Sequence, residues 1–181
     1  MSPRCGRQAF LEALGRVLRL CPVADSGAGR DLAYAEDMAG LFSAVDHVGI
    51  AVADLDDAIA WYDRTFGLRV VHEEVNEEQG VREAMLQVSD DMAATQIQLL
   101  APLRPDSPIG RFLERSGPGI QQLAYRVDDI DAASAALRDR GVELLYDQAR
   151  PGTGGCRVNF IHPRDAGGVL VELVEPPLVS R

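Results

Sequence analysis

Four side chains suited to metal ligation or proton transfer stand at matched places in two halves of this sequence. His47 opens the segment His47-Val-Gly-Ile-Ala-Val-Ala-Asp-Leu-Asp-Asp-Ala, and Gln122 opens Gln122-Leu-Ala-Tyr-Arg-Val-Asp-Asp-Ile-Asp-Ala-Ala, 75 positions later. Gln98 and Glu172 lie 74 positions apart in the apolar runs Gln96-Ile-Gln-Leu-Leu-Ala and Val169-Leu-Val-Glu-Leu-Val. A polar residue on a strand face turned away from helices is ordinarily just solvated. A solvated face would carry several charges, however, and the repeat relation sets these four apart. One imidazole, two carboxamide oxygens and a carboxylate form a hard-to-borderline donor set for a divalent ion such as Co²⁺, Mn²⁺, Mg²⁺ or Zn²⁺. Cys5, Cys21 and Cys156 form no Cys-x-x-Cys pair, which excludes a thiolate zinc site and a disulfide framework and fits a reducing compartment.

The elements that must position these residues follow from periodicity. Each repeat opens with an alternating strand, passes through an Asp-rich cap and continues as a helix. Asp54 or Asp56, and Asp129 or Asp131, are placed to cap those helices, which run to Trp61-Tyr62 and to Leu137 and end near Gly67 and Gly141. A strand is expected from Leu68 in the first half and from Val142 in the second. Further strands are expected over Glu83–Val88, Thr95–Leu100, Arg157–Ile161 and Val169–Val174. The sum is two βαβββ modules in tandem, an α+β architecture. Alternation puts Val48, Ile50 and Val52 toward the helix and His47, Gly49 and Ala51 on the opposite face, where small neighbours leave room for a cleft. By the same rule Gln98 with Leu100, Gln122 with Ala124 and Arg126, and Glu172 with Leu170 and Val174 share that face.

Composition closes other routes. A formal charge of −10 repels phosphate backbones and anionic lipid, so neither nucleic acid nor membrane is expected as a partner. All 18 basic residues are Arg, which excludes Schiff-base chemistry and the phosphate-loop lysine. No apolar run approaches the ~20 residues of a membrane-spanning helix. Residues 1–43 differ from the rest, with Phe10, Leu11, Leu14, Val17 and Leu18 at helical spacing among Arg4, Arg7, Arg16 and Arg19. We read them as a disordered or weakly helical extension and the protein as cytoplasmic; a mitochondrial transit peptide, and so a matrix location, is the alternative. The first module then spans 44–115, the second 116–176, and a tail 177–181.

Five motifs in fixed order resemble one family. They are Asp46-His-Val-Gly-Ile-Ala-Val, Glu78-Gln-Gly-Val-Arg-Glu-Ala, Gln96-Ile-Gln-Leu-Leu-Ala-Pro-Leu, Gly141-Val-Glu-Leu-Leu-Tyr-Asp and Phe160-Ile-His-Pro-Arg-Asp-Ala-Gly-Gly-Val-Leu-Val-Glu-Leu. Together, from about Val45 to Glu175, they are similar to methylmalonyl-CoA epimerases of the vicinal oxygen chelate superfamily, to which glyoxalase I belongs. The resemblance implies a glyoxalase-like fold in which the paired modules curve one sheet around a metal cleft. It implies His47, Gln98 and Glu172 as metal ligands, Glu83 as a catalytic acid/base and Glu172 as the second proton-transfer group. The family usually carries Gly-x-His-His at the start of the second module, where this chain has Gly119-Ile-Gln-Gln-Leu, so Gln122 takes the fourth ligand position. One divalent ion per chain, Co²⁺ or Mn²⁺ ahead of Zn²⁺ or Mg²⁺, an acyl-CoA substrate and a homodimer are the corresponding expectations.

The competing readings are specific. For Glu83 the sequence alone favours an ion pair with Arg82 or Arg126. His72 reads as solvated, His162-Pro163 as a turn or cleft rim, and Gly152-Thr-Gly-Gly155 as a loop that only superficially matches a phosphate cradle, since a strand follows it. A glyoxalase-type isomerase acting on a glutathione hemithioacetal, and a non-catalytic ligand-binding member of the superfamily, are the functional alternatives. An iron dioxygenase expects two histidines and a carboxylate, and Gln122 removes one of them.

Overall fold

The computed structural model describes residues 40–91 and 94–177. The expectations for residues 1–39 and 178–181 lie outside the described residues. The chain forms β1 (Ala44–Ala51), α1 (Leu55–Phe66), β2 (Arg69–Asn76), β3 (Val81–Gln87), β4 (Gln96–Pro102), α2 (Pro108–Ser116), β5 (Gly119–Arg126), α3 (Ile130–Asp139), β6 (Arg150–Pro151), β7 (Arg157–Ile161) and β8 (Leu170–Glu175). The eight strands make one curled mixed sheet in the order β2-β3-β4-β1-β5-β8-β7-β6. β1 runs parallel to β4, β5 runs parallel to β8, and the two halves join where β1 meets β5 antiparallel.

Local chemistry explains the helix bounds. Asp54 caps α1 by accepting from Asp57 N, and Gly67 ends it in the left-handed conformation at φ 70°. Asp129 caps α3 by accepting from Asp131 N and Ala132 N. Leu55, Ala58, Ile59 and Tyr62 of α1 pack on Ala84, Leu86, Leu99 and Ala101, with Ile50, Val52 and Ile97 alongside. α3 covers Val127, Val171 and Leu173, with Tyr125 and the preceding Leu41 and Phe42 against the same cluster. Both helices sit on one face of the sheet, and the four polar residues therefore line the other.

Two elements depart from expectation. The 9-residue helix α2 links the modules outside the repeat, and Ser107 accepts from Gly110 N to cap it, with Pro108 opening its first turn. Its Ile109, Phe112 and Leu113 pack against Ala51, Val81 and Leu100 on the cleft face, so α2 closes one end of the groove. The strand expected from Val142 is reduced to a single bridge, Leu144 to Ile161, and the pairing resumes only at β6. Two backbone bonds flank that bridge, Leu145 N to Phe160 O and His162 N to Glu143 O, and past them side chains take over: Asn159 donates to Tyr146 O and accepts from Tyr146 N, and Arg138 donates to Tyr146 O and Asp147 O. With the Tyr146 and Asp147 carbonyls met by side chains, the pairing need not continue beyond Leu145.

Candidate active site

The four repeat-related residues fall on the four central strands, Gln98 on β4, His47 on β1, Gln122 on β5 and Glu172 on β8. All four are buried, none more than 7% exposed. Small residues between them let the long side chains converge. Gly49 is the register partner of both Gln98 and Gln122, and Ala124 is the register partner of both His47 and Glu172. A Cβ at Gly49 would lie 2.5 Å from Gln122 Cγ.

The convergence is direct. His47 Nε2 lies 3.1 Å from Glu172 Oε2, Gln122 Nε2 donates to the same oxygen at 2.6 Å, and it also donates to Gln98 Oε1 at 3.2 Å. Gln98 Nε2 donates to Glu83 Oε2 at 3.0 Å, and the Thr153 hydroxyl donates to Glu83 Oε1. Glu83 therefore makes neither of the expected ion pairs. Arg82, its neighbour on the other strand face, holds Asp56 and Glu73, and Arg126 holds Asp46. Burial chiefly pushes the Glu83 carboxyl above its ordinary range; the Thr153 hydrogen bond and His47 oppose this, and Glu74 and Glu172 add to it.

Asp46 is the residue that strand alternation does not place. The β1–β5 register slips by one residue between Val45 and His47 and slips back between Gly49 and Ile50, where Gln122 and Ile120 are the successive partners. Each slip is a bulge, and bulges re-aim side chains. The first lets Asp46 Oδ1 meet His47 Nδ1 at 2.9 Å while Arg126 Nε donates to Asp46 Oδ2 at 2.8 Å. That contact orients the ring so that Nε2 faces the cleft. Burial disfavours a charged imidazole, yet the hydrogen bonds it donates to the Asp46 and Glu172 carboxylates carry its pKa from 6.5 up to about 9. Asp46 is held low in turn: burial opposes its ionisation, but His47 and Arg126 outweigh that cost. The second bulge makes Gln121 the extra residue. It borders the same chamber as Gln122, and its Oε1 is buried with no hydrogen-bond partner among the described residues.

The loop 152–155 crosses from the second module to the first. Thr153 bonds Glu83 as above, and Gly154 N donates to Glu74 Oε2 at 3.2 Å. It is a clasp between modules, not a phosphate cradle. His72 is exposed and pairs with Glu74, and His162 caps a turn by accepting from Arg164 N, both as expected. An inner chamber of about 200 Å³ lies beside the convergent residues, bordered by Glu83, Gln98, Gln122 and Glu172 and by Tyr146 and Phe160.

The donor set fits a divalent ion. Among the described residues no three His, Cys, Asp or Glu side chains cluster, so such a centre requires the two glutamines. The donor atoms of His47, Gln98, Gln122 and Glu172 stand 2.6 to 3.2 Å apart along this chain of contacts, close to the ~3 Å separating neighbouring ligands of an octahedral ion with bonds near 2.1 Å. Turning the Gln122 amide over presents Oε1 to the centre in place of Nε2. Asp46 and Glu172 act on His47, and Glu74 and Glu172 act on Glu83, so negative charge gathers around this point, and a bound ion would take the place of the proton on His47 Nε2.

The glyoxalase/bleomycin resistance protein/dioxygenase superfamily model matches residues 46–160. The human mitochondrial methylmalonyl-CoA epimerase is 37% identical over 130 residues, 71% of this chain and 72% of that protein. A crystal structure of methylmalonyl-CoA epimerase from Mycobacterium tuberculosis shares 59% identity at a TM-score of 0.73, covering 76% of this chain and 91% of that one. The chain belongs to the methylmalonyl-CoA epimerase family. A variant of the Streptomyces coelicolor epimerase in complex with 2-nitronate-propionyl-CoA is 46% identical at a TM-score of 0.73, covering 75% of this chain and 99% of that one. Membership implies a divalent metal in the cleft, and the donor set of these epimerase-fold strands is the place that suits it.

Proposed function

We propose that this chain interconverts the two C2 epimers of methylmalonyl-CoA, with His47, Gln98, Gln122 and Glu172 holding one divalent ion and with Glu83 and Glu172 moving the proton. The observation that carries this reading is the placement of two buried carboxylates on one cleft, Glu83 on β3 and Glu172 on β8, linked through the Gln98 and Gln122 amides. Held by those four residues, a divalent ion would supply Lewis-acid stabilisation of the negative charge that develops on substrate oxygen, a contribution of roughly several kcal/mol in such sites.

The proton at C2 lies between a thioester and a carboxylate, and removing it from one face and returning one to the other inverts the centre. Glu83, buried and free of arginine, has the raised affinity for a proton that suits a group alternating between acid and base near neutral pH. Thr153 and Gln98 fix the two Glu83 oxygens, so the carboxylate faces the chamber in one orientation. Glu172 uses Oε2 for His47 and Gln122, which leaves Oε1 for the opposite face of the substrate. Tyr146, Phe160 and Ile109 wall the chamber and limit water around the carbanion. Imidazole with three oxygen donors favours Co²⁺ or Mn²⁺ as the working ion.

The test is exchange of the C2 proton of methylmalonyl-CoA in deuterated water, with configuration followed in parallel. Glu83→Gln is expected to retain metal and lose about 10²- to 10⁴-fold in both inversion and deuterium incorporation. Near-normal turnover of Glu83→Gln would remove Glu83 from the mechanism. Turnover of a glutathione hemithioacetal without exchange of methylmalonyl-CoA would replace the proposal with a glyoxalase-type isomerase.

A further inference from the structure

The repeat that places the donor set also makes a second chamber. It holds about 430 Å³ and lies across Thr153, Val158 and Glu172 from the inner one, those three residues bordering both. Its walls are repeat counterparts of the inner walls. Asp46 stands where the inner chamber has Gln121, Met85 where it has Phe160 and Val174 where it has Leu100, at offsets of 75, 75 and 74 positions. Strand pairing agrees with this match, since Met85 and Phe160 are the register partners of Gln98 and Glu172.

The exchanged residues change what this chamber can do. Val158 is the counterpart of Glu83, as their register partners Val174 and Leu100 show, so the second chamber has an apolar wall where the inner one has an acid/base group. Arg126 borders it but is engaged by Asp46 through both Nε and Nη2, and His72 is paired with Glu74. Burial chiefly pushes the Cys156 thiol on this wall above its ordinary range, and Asp46, Glu172 and Glu74 add to the rise against Arg126. The field in the chamber is therefore net negative, which suits a cation and repels the carboxylate and phosphates of an acyl-CoA. Val71 and His72 of β2 are exposed and form its mouth, so solvent reaches it. At its deep end stand Glu172 and also His47, which does not border the inner chamber.

Resting on the reading that the four convergent residues hold a divalent ion and that the thioester fills the inner chamber, we propose that the second chamber is the port by which the hydrated ion reaches and leaves those residues. The ion and the thioester then use opposite halves of one repeat-related cleft. A divalent ion with six waters displaces roughly 200 Å³, at ~30 Å³ for each water. The second chamber takes it whole, whereas the inner one, itself about 200 Å³, has no room for it beside a thioester. Ion exchange therefore proceeds while the thioester is bound.

Uptake of Co²⁺ by the metal-free full chain, followed by stopped flow with a chelating dye that reports the free ion, tests this without turnover. The association rate of the wild type is expected to change by less than about twofold when propionyl-CoA fills the inner chamber. Val71→Trp, a larger side chain at the exposed mouth, is expected to slow association and chelator-driven release by the same factor, about tenfold, with Kd unchanged. Equal slowing of both rates is the mark of a narrowed route, since a disturbed donor set moves Kd. Should Val71→Trp fail to fold or shift Kd, His72→Trp at the same mouth is read by the same criterion. Association slowed about tenfold by propionyl-CoA, with the mouth variants taking up Co²⁺ at the wild-type rate, places the route in the inner chamber and overturns the port. Absence of Co²⁺ uptake rejects the donor set and the port together, whereas stoichiometric uptake that the thioester blocks rejects the port alone, so the two failures are separable.

Discussion

At the scale of single residues, the site is an economy of few donors around one point, and the identity of the fourth is the unusual feature. Gln122 contributes an amide where an imidazole would be the better donor for borderline ions. Gln122→His is expected to bind Zn²⁺ and Co²⁺ more tightly than the wild type in competitive metal titration, and equal affinities would show that position 122 does not touch the metal. Gln121 makes a different prediction. A buried acceptor without a partner costs about 1–3 kcal/mol, so Gln121→Leu, similar in size and without that cost, should raise the melting temperature by a few degrees while raising KM for the thioester. An unchanged melting temperature would mean that Oε1 is already satisfied. The convergent four were readable from the sequence because each follows a repeat and an alternation. Asp46 and Gln121 were not, because both depend on a one-residue slip in the β1–β5 register that no side-chain pattern records. Thr153 stands in a glycine-rich loop with no repeat counterpart, and its partner Glu83 lies 70 residues away, a contact made by the closing of the sheet.

At the scale of elements, small residues decide how closely the ligand-bearing strands can bring their side chains. Gly49 stands between Gln98 and Gln122, and Ala124 stands between His47 and Glu172, the same place in the two repeats. At Gly49 an added methyl would press on Gln122 Cγ, within the side chain and not at its flexible tip. Gly49→Ala is therefore expected to keep the fold and its melting transition while displacing Gln122 and losing metal on dialysis; a variant that retains stoichiometric metal would show that Gln122 is not a ligand. The helix α2 carried readable signals in Ser107-Pro108 and in the spacing of Ile109, Phe112 and Leu113, but a 9-residue segment outside the repeat has no second copy to support it. The strand expected at Val142 failed for the opposite reason. Its apolar alternation is present and Glu143 and Leu145 still bond the end of β7 through the backbone, but from Tyr146 onward side-chain bonds from Asn159 and Arg138 end the pairing.

At the scale of the molecule, the repeat places two half-sites across the β1–β5 junction, so neither module holds the donor set alone. His47 and Gln98 belong to the first and Gln122 and Glu172 to the second, and the Thr153–Glu83 and Gly154–Glu74 bonds tie the same two halves together. The functional unit therefore needs both modules, and the question is where it begins. The Streptomyces coelicolor structure is covered to 99% by three quarters of this chain, so a related fold is complete without a counterpart of the remainder. Leu41 and Phe42, however, pack on the core under α3, with the Phe42 ring 5.0 Å from that of Tyr125. Partial burial of two such side chains, with one aromatic pair, stabilises by about 2 kcal/mol. Removing residues 1–39 should leave the melting temperature of this unit and its turnover unchanged. Removing 1–43 should lower the melting temperature by about 5 to 10 °C while the rate at saturating substrate holds, because Phe42 and Tyr125 lie on the helix side of the sheet and the site lies on the other. A loss of turnover on removing 1–39 would show that the first segment completes the site, and equal melting temperatures for the two truncations would show that Leu41 and Phe42 add nothing to the core.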